Sequence, residues 1–176
     1  MGMIGFRPDA DLRGFRAALG RFATGVTVVT TLDALGEPAG ITANSFASVS
    51  LDPPLVLWSP KRASRRFATF TQAPAFAIHV LARDQQALCD HFVRTANGFD
   101  ALAWRPGPGG IPLLDDALAL FLCDRQAVLD GGDHAIILGL VREARSREGE
   151  PLVFQGGKYG SFEPETAIHP GPEAEP

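Results

Sequence analysis

The chain has 176 residues, a length that predicts one domain of ordinary size. Hydrophobic residues make up 45% of the sequence, which is enough for a packed core and excludes a largely disordered chain. The formal net charge of −4 argues against a nucleic-acid-binding protein, because such proteins are usually basic.

The sequence contains 19 Gly and 14 Pro, which together make up about 19% of its 176 residues. In an average protein the two residue types make up roughly 12%. Their excess disfavours a helical bundle and favours short strands joined by turns. The charge is also uneven, because residues 163–176 hold four Glu and four Pro but no Lys or Arg. We expect residues 1–162 to form one domain and residues 163–176 to form a disordered acidic tail.

The cysteine content and the hydropathy pattern indicate the cellular compartment in which the protein is expected. Cys89 and Cys123 are too few for a disulfide framework, and their apolar neighbours predict buried free thiols. The sequence has neither a signal-peptide pattern nor an apolar run near the roughly 20 residues that span a bilayer. We therefore expect a cytoplasmic protein without a membrane or nucleic-acid partner.

Apolar spacing, β-branched runs and turn residues predict the elements of the first half of the chain. They are a helix over residues 9–19, strands over 24–31, 41–46 and 55–58, and a short helix capped by Ser64 that ends before Pro74. The strands at 41–46 and 55–58 are expected to pair antiparallel around a loop at 47–53.

The second half continues this pattern of short elements. It predicts strands over 76–81, 118–123, 126–129, 135–141 and 152–155, a helix over 84–93, a long ordered loop over 97–112 and a hairpin turn at 131–133. About seven strands in adjacent pairs predict a mainly β barrel or antiparallel sheet with peripheral helices, rather than a doubly wound parallel sheet.

Common catalytic motifs are absent from the sequence. It contains no dinucleotide-binding glycine motif after a strand, no phosphate loop, no paired-cysteine motif and no nucleophile elbow. The four histidines lack the spacing of metal ligands, so no metal site is expected.

Two segments nevertheless concentrate polar side chains. Residues 42–50 read TANSFASVS, and residues 59–66 read SPKRASRR at a predicted helix start. If the two strands pair as expected, Thr42 lies near Ser59 and the hydroxyl-rich segment meets the basic one. Hydroxyls, Arg side chains and a helix N-terminus together suit a phosphate ester. Ordinary turn formation and a solvated charged face remain the alternatives.

Read in order, the motifs resemble those of the short-chain flavin reductases. The matching stretches are FATGV at 22–26, GITANSF at 40–46, SVSLDPPL at 48–55, SRRF at 64–67, GIPLL at 110–114, GDH at 132–134 and GKYG at 157–160. The resemblance spans roughly residues 12–162. It implies an FMN-binding split β-barrel and an enzyme that transfers hydride from NADH or NADPH to FMN or FAD. It also implies a homodimer that supplies reduced flavin to a separate monooxygenase.

The resemblance further implies a set of site residues. The flavin ring and ribityl chain would be lined by Thr42, Asn44, Ser45, Ser48, Val49 and Ser50. The phosphate would be held by Ser59, Lys61, Ser64 and Arg65, and Tyr159 would close over the site. His134 would orient the nicotinamide or stabilise charge on the reduced flavin without being an essential acid or base; capping its own hairpin is the structural alternative.

Some features stay open at this stage. His79 stands where relatives often carry Asn, and either alters flavin contacts or faces the core. Four cations at 61–66 exceed what one phosphate requires, which favours FAD or NADPH. The alternative function is a split-barrel protein that retains its flavin for storage or for reducing another acceptor.

Overall fold

The computed structural model describes residues 2–3 and 5–164, so most of the predicted acidic tail lies outside the described residues. The α-helices are Leu12–Leu19 (α1), Phe67–Gln72 (α2) and Gln86–Arg94 (α3). Short 3-10 turns occur at Arg83–Gln85, Phe99–Ala101 and Pro108–Gly110. Within the described ranges, no helix is long and apolar enough to cross a membrane.

Strands account for most of the remaining regular structure. They are Thr24–Gly25 (β1), Thr27–Leu32 (β2), Pro38–Ala43 (β3), Ala47–Leu51 (β4), Pro54–Trp58 (β5), Ala75–Val80 (β6), Trp104–Pro106 (β7), Pro112–Leu114 (β8), Ala119–Gly131 (β9), His134–Ser146 (β10), Leu152–Gln155 (β11) and Lys158–Ser161 (β12). Seven of them form the main sheet in the order β3-β2-β6-β9-β10-β5-β4. Smaller sheets have the orders β1-β11-β12 and β7-β8.

The main sheet has to curl, because its two outermost strands are neighbours in the chain. Only residues 44–46 separate β3 from β4, so the ends of these strands lie at most about 14 Å apart. The outer strands of a flat seven-stranded sheet would lie about 29 Å apart. The sheet therefore bends into a barrel, but β3 and β4 are not paired and the barrel stays open between them. This confirms the expected mainly β, split-barrel architecture.

The core has two parts, one on each face of the sheet. Strands β2, β5, β6, β9 and β10 all contribute apolar side chains to the barrel interior, which is centred on Trp58 and Phe76 and closed by Phe70 of α2. On the outer face, Val28 and Leu81 pack with Phe92 of α3. Because alternate residues point to opposite faces, β2 is buried on both of its sides.

The predicted pairing of residues 41–46 with 55–58 is wrong. Strand β3 pairs with β2, whereas β5 pairs with β4, which occupies most of the stretch expected to be a loop. The segments 42–50 and 59–66 still approach each other, but they do so because the sheet curls. Register in a hairpin depends on where its turn lies, and the turn falls at 52–53 instead of across 47–53.

Several element boundaries also differ from the sequence-based expectation. The first helix begins at Leu12 because the Asp11 carboxylate accepts the backbone N–H of Gly14. Ser64 does not cap α2, since residue 66 precedes its first turn, and the Ser64 hydroxyl accepts the Arg66 N–H at 3.2 Å. The strands expected at 118–123 and 126–129 are one continuous strand, β9, and the expected loop at 97–112 contains β7.

His79 belongs to the core. Its side chain is fully buried on β6, with Nδ1 3.1 Å from the Val28 carbonyl oxygen and Nε2 3.1 Å from the Leu114 backbone nitrogen. A carbonyl only accepts and an N–H only donates, so Nδ1 carries the proton and the imidazole is neutral. Burial lowers the pKa of His79 to about 4. The residue joins β6 to β2 and β8 instead of facing a cofactor.

The free energy of unfolding is expected to fall as the pH is lowered from about 6.5 to 4. The unfolded chain protonates His79 in this window, whereas the folded protein keeps it neutral. From pH 7 to pH 4, the decrease should exceed that of a His79→Gln variant by about 3 kcal/mol. Urea unfolding across this pH range measures the difference. Equal slopes for the two proteins would contradict the buried neutral state of His79.

Candidate active site

A cavity of about 450 Å³ opens where the two edges of the main sheet approach each other. One wall comes from the end of β3 and the link to β4, and the opposite wall comes from the segment that follows β5. The end of α3 and the start of β10 complete it. The lining residues are Ile41, Thr42, Ala43, Asn44, Ser45, Trp58, Ser59, Pro60, Lys61, Ser64, Arg65, Arg66, Phe92, Val93 and His134.

The structure brings most of the sequence-predicted site residues into this one cavity. Those that line it are Thr42, Asn44, Ser45, Ser59, Lys61, Ser64, Arg65 and His134. The other four do not line it within a single chain. Ser48, Val49 and Ser50 lie on the edge strand β4, where the pairing with β5 shifts register around Val49, and Tyr159 lies on β12. Cofactor contacts for all twelve residues stay a prediction.

Two of the expected cofactor-binding hydroxyls also hold the fold together. The Thr42 hydroxyl donates to the Cys89 carbonyl of α3 at 2.8 Å. The Ser45 hydroxyl accepts the Ser59 N–H at 2.9 Å and lies 3.3 Å from the Ser59 carbonyl oxygen. Ser45 thereby continues the β4–β5 pairing, since Ser45 and Ser59 stand opposite each other in the register that pairs Ala47 with Leu57. Asn44 is exposed and lines the cavity.

Two of the four cations at 61–66 are engaged by the protein itself. Arg62 forms an ion pair with Asp130 at 2.7 Å and donates to the Gly132 carbonyl at 2.9 Å. Arg66 donates to the Phe92 carbonyl at the end of α3, and burial lowers the pKa of its half-buried guanidinium. Their positive charges thus stabilise the hairpin between β9 and β10 and the end of α3.

Lys61 and Arg65 are different. Both are exposed and both line the cavity, and neither side chain has a hydrogen-bond or ion-pair partner among residues 2–3 and 5–164. The site therefore presents two available cations instead of four. This division does not test the expectation of FAD or NADPH from four cations, which stays a prediction.

The hairpin between β9 and β10 brings His134 to the basic segment. The Arg62 N–H donates to the Asp133 carbonyl at 2.9 Å, which places Lys61 opposite His134. The Asp133 carboxylate lies 2.8 Å from His134 Nδ1, and this hydrogen bond holds the pKa of Asp133 below its usual value. An ionised carboxylate accepts the Nδ1 proton, so Nε2 is the nitrogen left for a ligand.

Sequence reasoning missed seven lining residues, among them Trp58 and Phe92, which are buried, and Val93, which is exposed. Phe92 and Val93 belong to α3, far away in the chain, and Trp58 ends β5. The Trp58 indole N–H is buried and has no hydrogen-bond partner among the described residues. A buried donor of this kind is costly to leave unpaired, which suits an acceptor on a ligand. The sequence signal for Trp58 was the apolar run 55–58, which ends in this residue just before the basic segment 59–66.

A second cavity of about 510 Å³ lies at the other end of the barrel, lined mainly by apolar residues such as Leu32 and Ile111. Its charged rim is already paired, because Asp124 binds Arg142 at 2.7 Å. Among the described side chains, no cluster of His, Cys, Asp or Glu is placed to hold a metal ion. The cavity at the open seam is therefore the better candidate, although it is the smaller one.

An open β-barrel whose seam carries small hydroxyl side chains and two available cations defines a class of protein that binds a phosphorylated ring cofactor. The family model described as "Flavin reductase like domain" matches residues 19–163. The chain belongs to this family.

Individual relatives agree with the family match. FMN reductase (NADH) SmoA of Agrobacterium fabrum is 53% identical over 150 residues, which cover 85% of this chain and 86% of SmoA. Reductase subunit HsaB of a flavin-dependent monooxygenase from Rhodococcus jostii is 42% identical and covers 90% of this chain and 82% of HsaB. The Streptomyces globisporus NADH:FAD oxidoreductase SgcE6 has a TM-score of 0.86 at 37% identity, covering 97% of this chain and 98% of SgcE6.

Some other matched proteins are longer. The chain spans 48% of one relative from Rhizobium meliloti and 53% of one solved chain. The family match and the relatives of similar length confirm the expected activity, that of an NAD(P)H-dependent flavin reductase.

Proposed function

We propose that this protein is a homodimeric, cytoplasmic reductase that uses NADH to reduce FMN and passes the reduced flavin to a separate monooxygenase. The observation that carries the choice of FMN is the pair of available cations, Lys61 and Arg65, beside the serines of the seam. FMN has one phosphate, whereas the pyrophosphate of FAD carries an adenosine that needs further room and contacts.

The residues present fit such a ligand. The cavity volume of about 450 Å³ lies within the range of small-molecule sites. Lys61 and Arg65 would form charge-assisted hydrogen bonds to the phosphate, together with the Ser59 hydroxyl. The small residues of the link, around Asn44, allow a flat ring to approach the backbone. The unpartnered Trp58 N–H would donate to an acceptor on the flavin.

Catalysis in this site needs positioning more than proton transfer. A flavin and a nicotinamide bound together supply the hydride-transfer chemistry themselves. The chain would contribute by binding and orienting the two rings, which lowers the entropic part of the barrier. His134, fixed through Nδ1 by Asp133, presents Nε2 to the cavity and orients a ligand or stabilises negative charge there.

The nicotinamide donor and the partner are supported by the relatives. SmoA carries NADH in its name, and so does SgcE6. HsaB is named as the reductase subunit of a flavin-dependent monooxygenase, and another relative, from Acinetobacter baylyi, is the reductase component of a trigonelline monooxygenase. A cytoplasmic location is supported by Cys89 and Cys123, which are both free thiols.

Exposed apolar surface supports the homodimer. Leu12, Phe15 and Leu19 form an apolar stripe along α1, and all three are exposed. A helix of eight residues is marginal in water unless its apolar face is covered. Leu51 at the sheet edge is also almost fully exposed. A second copy of the chain would cover such surfaces.

The purified protein is expected to oxidise NADH only when free flavin is added, with a higher kcat/KM for FMN than for FAD, because two cations match one phosphate. Loss of absorbance at 340 nm measures this turnover. Absence of turnover with every flavin and either nicotinamide would contradict the proposal. Tight flavin retention through gel filtration, without dependence on added flavin, would support the alternative of a retained cofactor.

Arg65→Gln and Lys61→Gln are each expected to raise the Kd for FMN by about tenfold or more, because each removes a charge-assisted bond to the phosphate. Arg62→Gln is the matched control, since Arg62 is engaged by Asp130, and should change the Kd by less than about threefold. Quenching of flavin fluorescence measures all three. Equal effects of Arg62→Gln and Arg65→Gln on the Kd would refute the division of the four cations into two that contact the protein and two that are available to a ligand.

Light scattering after gel filtration is expected to give a mass twice that of the 18.7 kDa chain. A Leu12→Ser, Leu19→Ser double variant should shift the protein toward the monomer, because it removes most of the apolar stripe. Leu35→Ser, in an exposed turn, is the control. A wild-type mass equal to one chain at micromolar concentration would rule out the homodimer.

A further inference from the structure

The end of α3 places negative partial charge at the candidate flavin site. Phe92 and Val93, in the last turn of this helix, line the cavity. The last carbonyls of a helix have no intrahelical partner, and the helix dipole adds a negative potential there. Uncapped carbonyls at this position would repel a phosphate bound between Lys61 and Arg65.

Arg66 supplies the missing partners. Its guanidinium donates to the Phe92 carbonyl, and its Nη2 lies 3.4 Å from the Val93 carbonyl oxygen. The His91 carbonyl is already capped by the backbone N–H of Thr95 at 3.0 Å. The basic side chains on the last turn of α3 itself, His91 and Arg94, do not line the cavity. Arg66 is therefore the cation between these carbonyls and the cavity.

The same guanidinium also fixes α3 to the sheet. Its Nη1 lies 3.4 Å from the Gly40 carbonyl oxygen on β3. The helix packs so closely here that a Cβ at Gly40 would overlap the ring of Phe92. The Gly40 N–H donates to the Ala96 carbonyl at 2.9 Å, which ties the segment after the helix to the same strand. The end of α3 thus has one defined position relative to the cavity.

We propose that Arg66 is a positioning residue that caps the C-terminal carbonyls of α3, and thereby allows an anionic phosphate to bind beside that helix end. The contacts of its guanidinium within the protein all go to backbone carbonyls, those of Gly40, Phe92 and Val93. The inference rests on the proposed flavin site. It assigns to Arg66 an effect on binding of the phosphate that is distinct from its effect on the shape of the cavity wall. Its consequence is selective, because a flavin without a phosphate should not depend on the cap.

The test compares FMN with riboflavin, which has the same ring system and no phosphate. The ratio of the riboflavin Kd to the FMN Kd is measured by fluorescence quenching. Arg66→Gln is expected to lower this ratio about tenfold, the effect of one charge at a partly buried helix end. A merely structural role would weaken both flavins equally and leave the ratio unchanged, which would overturn the proposal.

Two matched control variants distinguish loss of the Arg66 cap from a general loosening of the cavity wall. Gly40→Ala displaces Phe92 without changing any charge, so both flavins should weaken together and the ratio should stay within about twofold of wild type. Arg125 donates to the Thr71 carbonyl near the end of α2 and does not line the cavity. Arg125→Gln therefore controls for losing an arginine cap elsewhere, and should also leave the ratio unchanged.

Arg66→Met is measured in case Arg66→Gln does not fold; it also removes the charge and should likewise lower the ratio about tenfold, whereas an unchanged ratio would overturn the proposal. Arg66→Lys is the rescue variant. Lysine retains the charge but not the fork of donors, so both affinities should fall while the ratio stays within about threefold of wild type. A ratio near one for Arg66→Lys would overturn the proposal. If the wild-type protein binds FMN and riboflavin equally, the phosphate site itself is wrong. If the wild-type protein binds FMN more tightly than riboflavin and the variants without the Arg66 charge keep this ratio, the phosphate site stands and the cap is refuted.

Discussion

Three residues, 44–46, join the two outermost strands of the seven-stranded sheet, and so short a link forces the sheet to curl until its edges nearly meet. The two edge strands, β3 and β4, do not pair with each other, so no backbone hydrogen bonds of the sheet join them. The cavity lies beside this link, and the Ser45 hydroxyl ties the link to the end of β5 at Ser59. The same constraint that shapes the barrel therefore also creates the binding site.

The four cations at 61–66 fall into two groups according to their hydrogen bonds. Arg62 and Arg66 satisfy a carboxylate and carbonyl groups of the protein, whereas Lys61 and Arg65 have no such partner among the described residues. Arg62 does not line the cavity, and its guanidinium contacts Asp130 and the Gly132 carbonyl instead. The local positive potential that attracts an anion thus comes mainly from two side chains, on a chain whose net charge is −4.

Much of the site was predictable from the sequence because its polar residues lie in two short segments and one hairpin turn. The fold class followed from turn-rich composition and from the resemblance to flavin reductases. What failed was pairing: 41–46 and 55–58 are neighbouring predicted strands, and local pattern does not reveal that β3 and β4 become the two edges of one curled sheet. The resemblance indicated Arg65 for the phosphate, but the contacts of Arg66 were inaccessible, since they depend on α3, which lies far away in the chain.

Tyr159 shows how a residue outside the cavity can still affect it. Its hydroxyl lies 3.1 Å from the Cys89 sulfur, and the Cys89 carbonyl accepts the Thr42 hydroxyl that lines the site. Phe92, one turn further along α3, is part of the cavity wall. The hydrogen bond to Cys89 raises the pKa of Tyr159 to about 12, and burial raises the pKa of Cys89. Both groups therefore stay neutral at physiological pH. A thiolate or phenolate behind this wall would oppose an anionic ligand, so β12 supports the helix without adding negative charge.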